Sequence, residues 1–166
     1  NEIGTDWNYN KLKEIIPIAI RFMDNVNDKT NVPLPIQKEN LQNKRRIGLG
    51  ILGYGSALLM MKVRYGSRRA LELTEELMSF ISNTAYQSSA LLADEKGSFP
   101  LYHHAKYMDS EFIKKLNTKT KALIRRNGMR NSHLLSIQPT GNSSVYANNV
   151  SGGLEPIFLP EYVRTT

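Results

Sequence analysis

Ser132-His133-Leu134-Leu135-Ser136-Ile137-Gln138-Pro139-Thr140-Gly141-Asn142-Ser143-Ser144 is the stretch on which the reading of this chain turns. Its first six residues form a short, mostly apolar run that Gln138-Pro139 stops, the pattern of a buried strand. A Gly/Ser/Thr loop follows directly. Such a loop offers several backbone N–H groups that can converge on a phosphate, helped by hydroxyls. The carboxyl end of a strand is also where α/β folds bind their ligands. Pro-Thr-Gly-Asn is equally good chemistry for an ordinary tight turn, so the residues alone support both readings. Gly141 is expected at positive φ, since only glycine turns there without penalty and lets backbone approach a ligand closely.

Downstream, Gly, Asn and Ser dominate through Gly153, with a second short strand expected near Ser144–Tyr146. Asn148-Asn149-Val150-Ser151-Gly152-Gly153-Leu154-Glu155-Pro156 is a second Gly/Asn-rich loop, which suggests a site rim. Glu155 is a candidate acid/base, but the sequence places no partner carboxylate or histidine near it. The tail Glu155–Thr166 is expected to be irregular.

Upstream the pattern is helical. Leu12, Ile15, Ile16, Ala19, Phe22, Met23 and Val26 form a stripe over 9–27 that contains Pro17, so the helix either starts near Ile16 or kinks. Asn31–Pro35 reads as an extended connector. The stretch from Ile47 to Met61 is apolar almost all round and rich in glycine, which suggests a buried helix with close backbone approach. Ser67 is the expected cap of a long helix over 68–95, with a core stripe of Leu71, Thr74, Met78, Ile81, Ala85 and Leu92, ended by Gly97. Asp109 is the expected cap of a further helix with the stripe Phe112, Ile113, Leu116, Leu123 and Ile124, ended by Gly128.

The 166 residues suit one domain and can bury roughly 70% of the unfolded surface. There is no cysteine, which excludes disulfides, thiolate metal sites and thiol nucleophiles built from this sequence alone. The N-terminus does not read as a signal peptide, no long apolar run suggests a membrane span, and the missing initial Met suggests a piece of a longer chain. Together these point to the cytoplasm. The net charge of +7 is local: Lys114, Lys115, Lys119, Lys121, Arg125, Arg126 and Arg130 lie in a stretch without an acid, and the remaining charges balance. Such a segment is either an anion-binding surface or a solvated helix face, and the latter is the expectation.

Two motifs carry little. Gly48-Leu49-Gly50-Ile51-Leu52-Gly53 fits G-x-G-x-x-G, but Leu41–Arg46 before it is no buried strand, so helix packing explains it better than a dinucleotide site. His103-His104 can supply two metal ligands at most, and an exposed loop is expected there.

Taken together, Lys44–Gly53, Arg130-Asn131-Ser132, Gln138–Ser144 and Ser151–Pro156 resemble, in order and spacing, the catalytic subunit of ribonucleotide reductases. The resemblance covers nearly the whole chain and is strongest over 44–61 and 130–158. The Pro-Thr-Gly form is more similar to the adenosylcobalamin-dependent branch than to the di-iron branch. The resemblance implies an α/β fold, with residues 1–166 as a single partial domain: a mostly helical, C-terminal portion of a ten-stranded α/β barrel. It implies a radical enzyme of deoxyribonucleotide biosynthesis and DNA replication that removes the ribose 2′-hydroxyl. It assigns Thr140, Gly141, Asn142, Ser143 and Ser144 to the substrate's phosphates. The family's thiyl-forming Cys, its neighbouring Asn and Glu, and its reducing Cys pair have no counterpart here. This chain is therefore expected to hold no catalytic residue or metal, to bind no adenosylcobalamin by itself, and to be inactive alone. The implied partners are a ribonucleoside di- or triphosphate and the remainder of the catalytic subunit, with the complete enzyme a homodimer and neither nucleic acid nor membrane involved. The rival readings are a basic helical nucleic-acid module and a structural or assembly piece with a vestigial loop.

Overall fold

The computed structural model describes residues 6–157. Among these residues eight helices follow in order: α1 Tyr9–Lys29, α2 Pro35–Lys44, α3 Tyr54–Met60, α4 Arg68–Lys96, α5 His104–Met108, α6 Glu111–Lys115, α7 Thr118–Asn127 and α8 Gly141–Tyr146. Among the described residues there is no strand, only one parallel bridge between Leu49 and Leu135. The chain is therefore mostly helical, as expected. The strand expected over 132–137 is reduced to that bridge, with Ile47 N–H donating to His133 C=O (3.0 Å) and Leu49 N–H to Leu134 C=O (2.7 Å). The strand expected at Ser144–Tyr146 is overturned: these residues lie in α8, where Ser144 N–H bonds Thr140 C=O at 2.9 Å. Of the irregular tail, 155–157 has no regular structure, and the rest lies outside the described residues.

The chain forms two compact units. Of the described residues, the first comprises 6–7, Gly50–Glu75 and 136–157. Its core is Tyr54, Leu58, Ala70 and Leu73, with Trp7, Ile51, Met61, Val63 and Leu154 packed against it. Trp7 Nε1 donates to Leu73 C=O at 3.1 Å, and its ring stacks on Tyr54. Tyr54 OH meets the Thr74 hydroxyl. Ser67 caps α4 as expected, its Oγ accepting Ala70 N–H at 3.2 Å. The core stripe is displaced at this end: Leu73 is fully buried, whereas Leu71 is exposed. The expected helix over 47–61 is also corrected. Only Tyr54–Met60 is helical: Gly53 turns at φ +78 as its N-cap, and the residues before it carry no regular structure beyond the bridge at Leu49.

The second unit comprises Asn8–Leu49 and Glu76–Leu135. Helix α1 runs through Pro17 without starting there and buries Ile16, Ile20, Asp24 and Asn27. Gly97 ends α4 with φ +81, and Gly128 ends α7 with φ +74. The single helix expected after Asp109 is two. Ser110 caps α6, and Asn117 caps α7 by accepting Thr120 N–H at 2.8 Å, so a capping side chain breaks the apolar stripe.

A buried ionic cluster organises this unit. Asp24, with no exposed surface, accepts from Arg45 Nη2 (2.8 Å) and Nε (3.0 Å), Asn131 Nδ2 (2.9 Å) and Arg130 Nε (3.2 Å), with Lys96 Nζ at 3.5 Å. Asp28 pairs with Arg45 at 2.7 Å. Arg45 turns out of α2 in the left-handed region (φ 45), which delivers its side chain to Asp24. Burial pushes the Asp24 carboxyl pKa up. The hydrogen bonds and charge of Arg45, then those of Asn131 and Arg130, outweigh it and hold the carboxyl below its ordinary value. Arg130 therefore does not belong to the solvated basic face. It also donates to the carbonyls of Lys96 (3.0 Å) and Gly97 (3.2 Å).

Candidate functional site

The loop singled out by sequence lies wholly in the first unit. Pro139 leads into Thr140, which sits in the left-handed region (φ 45, ψ 28) and forms the N-cap of α8. The positive φ thus falls on Thr140 and not on Gly141, which enters the helix as its first residue. A methyl built on Gly141 would meet nothing within 4 Å. Thr140 holds its turn because its Oγ1 accepts Gly153 N–H at 2.8 Å. A non-glycine residue in this region costs energy and persists only where its surroundings fix it.

The first N–H groups of a helix have no intrahelical acceptor. In α8 the first satisfied amide is that of Ser144, so those of Gly141, Asn142 and Ser143 head the helix, on residues that are all exposed. Ser144 behaves differently. It is buried and its Oγ donates to Gly141 C=O at 2.9 Å, which braces the turn from inside. Three of the five expected residues therefore present amides outward, while half-buried Thr140 and buried Ser144 hold the turn.

The second loop lies directly behind. A methyl on Gly152 would stand 2.7 Å from Pro139 C=O, and one on Gly153 2.7 Å from Gln138 C=O, so the two backbones touch where no side chain fits. Glu155 is exposed, with its carboxylate against the same glycines. A methyl on Gly152 would be 3.7 Å from Glu155 Oε2 and 3.8 Å from Thr140 Oγ1. An open cleft of about 380 Å³ runs beside the loop, lined by Tyr65, Ile137, Gln138, Pro139, Leu154, Glu155 and Pro156.

The glycine-rich segment works by close approach, as its sequence suggests. A methyl on Gly50 would lie 2.7 Å from Ser136 C=O, and one on Gly55 2.6 Å from Glu155 C=O. Sequence reasoning missed the partner of α3. Its N-cap is Gly53, which has no side chain to cap with. Ser151 takes that place: its Oγ accepts Ser56 N–H (3.0 Å), its N–H donates to Ser56 Oγ (2.9 Å), and its C=O accepts Gly53 N–H (2.8 Å). This is a capping box split between segments 95 residues apart. The only sequence signal is a serine three residues after Gly53.

The paired histidines belong to the second unit. His103 precedes α5, and His104 opens it with Nδ1 3.1 Å from Tyr102 OH. Among the described residues no three His, Asp or Glu side chains gather as metal ligands, and no helix is long and apolar enough to cross a membrane.

Two glycine-bearing loops are thus locked together behind the head of a short helix whose first amides face outward. The description "Ribonucleotide reductase, barrel domain" matches residues 2–166, and the chain belongs to that family. It is 34% identical over 97% of its length to the vitamin B12-dependent ribonucleoside-diphosphate reductase of Thermoplasma acidophilum. It is 33% identical over 96% to the protein of that name from Mycobacterium tuberculosis. It is 31% identical over 93% to the ribonucleoside-diphosphate reductase subunit alpha of Chlamydia pneumoniae. The chain spans about a fifth of the length of these relatives, covering 19%, 20% and 17% of them.

Proposed function

We propose that this chain supplies the substrate-phosphate loop of a ribonucleoside-diphosphate reductase. Thr140, Gly141, Asn142 and Ser143 bind the diphosphate, and Ser144 braces them. The observation that supports this is the outward-facing head of α8, with three amides on exposed residues beside a Thr140 turn fixed by Gly153 N–H. A helix head is a favourable place for an anion. A diphosphate is preferred to a triphosphate because the similar proteins are named for diphosphates.

The reaction replaces the ribose 2′-hydroxyl by hydrogen through thiyl chemistry, as the family resemblance implies. With no cysteine in the 166 residues, every thiol step belongs to polypeptide outside this sequence. The two similar proteins named as vitamin B12-dependent support adenosylcobalamin as radical source in the complete enzyme. Radical transfer in that chemistry needs a thiol, and the residues present do not fit it, so no step through the corrinoid is assigned to them. The chain would form part of the ten-stranded barrel of a cytoplasmic, homodimeric enzyme of deoxyribonucleotide supply.

The test is Gly141→Val in the complete enzyme. The Cβ of the added side chain meets nothing within 4 Å in the protein, so a loss of binding with stability unchanged reports on the ligand. Hydrogen bonds to a charged group are worth about 1.5–3 kcal/mol each. Losing one or two should weaken diphosphate binding tenfold or more, with the unphosphorylated nucleoside unaffected. Unchanged diphosphate affinity would mean that the loop is only a turn.

A further inference from the structure

We infer that Ser56 and Ser151 are positioning residues for the phosphate loop, acting through Gly153 and Thr140. The inference rests on reading that loop as the diphosphate site. Thr140 stands in a backbone region that a β-branched residue seldom occupies. The contact that fixes its side chain there is the hydrogen bond from Gly153 N–H. Gly153 in turn has little freedom, since Gly152 and Gly153 lie against the carbonyls of Pro139 and Gln138. The residue before this pair, Ser151, is fastened by three hydrogen bonds of 2.8–3.0 Å to Gly53 and Ser56 on the first turn of α3. Tyr65 OH adds a fourth tie one residue beyond Gly153, donating to Leu154 C=O at 2.9 Å.

The chain of contacts therefore runs from α3 to Ser151, to Gly153, to the Thr140 hydroxyl, and so to the head of α8. Helix α3 buries Tyr54 and Leu58 in the core of the unit, so the far end of this chain is rigid. Neither serine touches the outward face of α8. Their effect is to hold the amides of Gly141, Asn142 and Ser143 in one orientation. Losing the clamp should let Thr140 relax toward an ordinary backbone angle and turn those amides away from a common point.

The experiment uses the complete reductase carrying this segment, a ribonucleoside diphosphate as substrate, and Ser151→Ala, Ser56→Ala, the double variant, Ser151→Thr and Gly141→Val. Ser151→Ala should raise KM by about five- to thirtyfold, the scale of losing a helix cap, with kcat little changed. Ser56→Ala should act in the same direction. The double variant should be no worse than the larger single, because one unit is being broken. Ser151→Thr, which keeps the hydroxyl, should restore KM. If Gly141→Val weakens the diphosphate while Ser151→Ala leaves KM unchanged, the clamp is refuted and the loop reading stands. If neither moves KM, the loop reading itself fails. A lower melting temperature or active fraction with KM intact would also overturn the inference, since that is what a merely structural cap would do. Should Ser151→Ala not fold, Ser56→Ala is read by the same criteria.

Discussion

Removing the Asp24 carboxylate tests whether the cluster around it holds the second unit together. In Asp24→Ala, Arg45 keeps Asp28 at 2.7 Å but loses both bonds to the Asp24 carboxylate, and its side chain is only 7% exposed. Asn131 Nδ2 and Arg130 Nε lose an acceptor too. Breaking a buried pair by deleting one partner costs about 3–5 kcal/mol. Because Asp28 remains, the low end applies, about 3 kcal/mol. Hydrogen exchange read by mass spectrometry on peptides covering 16–30 and 126–135 of the intact polypeptide measures this locally. About 3 kcal/mol should appear as roughly hundredfold faster exchange, since 1.4 kcal/mol is tenfold. The carboxyl pKa is lowered in the folded protein. Its contribution is therefore fully present above the unfolded value of about 3.9 and is lost as pH falls through the folded value. Protection of the parent should fall across that acid range, while Asp24→Asn should show a flatter profile. Exchange in Asp24→Ala within threefold of the parent would refute the reasoning.

Three further outcomes follow from the geometry. Gly55→Ala should destabilise the first unit by about 1–3 kcal/mol, because its methyl would lie 2.6 Å from Glu155 C=O, whereas Gly141→Ala should stay within about 0.5 kcal/mol; thermal melting compares the two. Arg125→Gln with Arg126→Gln should leave DNA titrations unchanged. Micromolar parent binding that drops about a thousandfold from 50 to 200 mM salt would instead make this helix face a nucleic-acid site. The 166-residue chain alone should form no deoxynucleotide with any radical source, and product in that assay would overturn the fragment reading.

Legibility in the sequence followed how local each determinant is. Helix α4 could be bounded because Ser67 and Gly97 act within a few residues of its ends. The Pro139–Ser144 composition likewise marks a turn, which the structure places at the head of α8. The segment before Gly53 was misassigned as helix because an apolar run shows no difference between buried helix and buried extended chain. Its register comes from Leu49 and Leu135, far apart in sequence. Asp24 was invisible, since periodicity treats a lone acid in an apolar stripe as a polar interruption. Of its partners, Arg45 and Asn131 stand out in the sequence only within a family pattern, and Arg130 reads there as one more member of a basic segment. The positive φ was placed on Gly141 because glycine is the default. It falls on Thr140 because a tertiary hydrogen bond from Gly153 imposes it.

The capping box split between Ser56 and Ser151 also sets an order of assembly. A conventional cap closes within one turn and can form as soon as its helix does, whereas this one closes a loop of 95 residues. During synthesis at about 5–20 residues per second, the head of α3 would wait roughly 5–20 s for its partner. For most of that interval Gly50 lacks the Ser136 backbone it packs against and Thr140 has yet to be made, and Gly55 waits for Glu155 beyond its end. The proposed phosphate loop is thus among the last features of the chain to acquire its shape, and slow recovery of diphosphate binding on refolding, after the helices have formed, would be its kinetic signature.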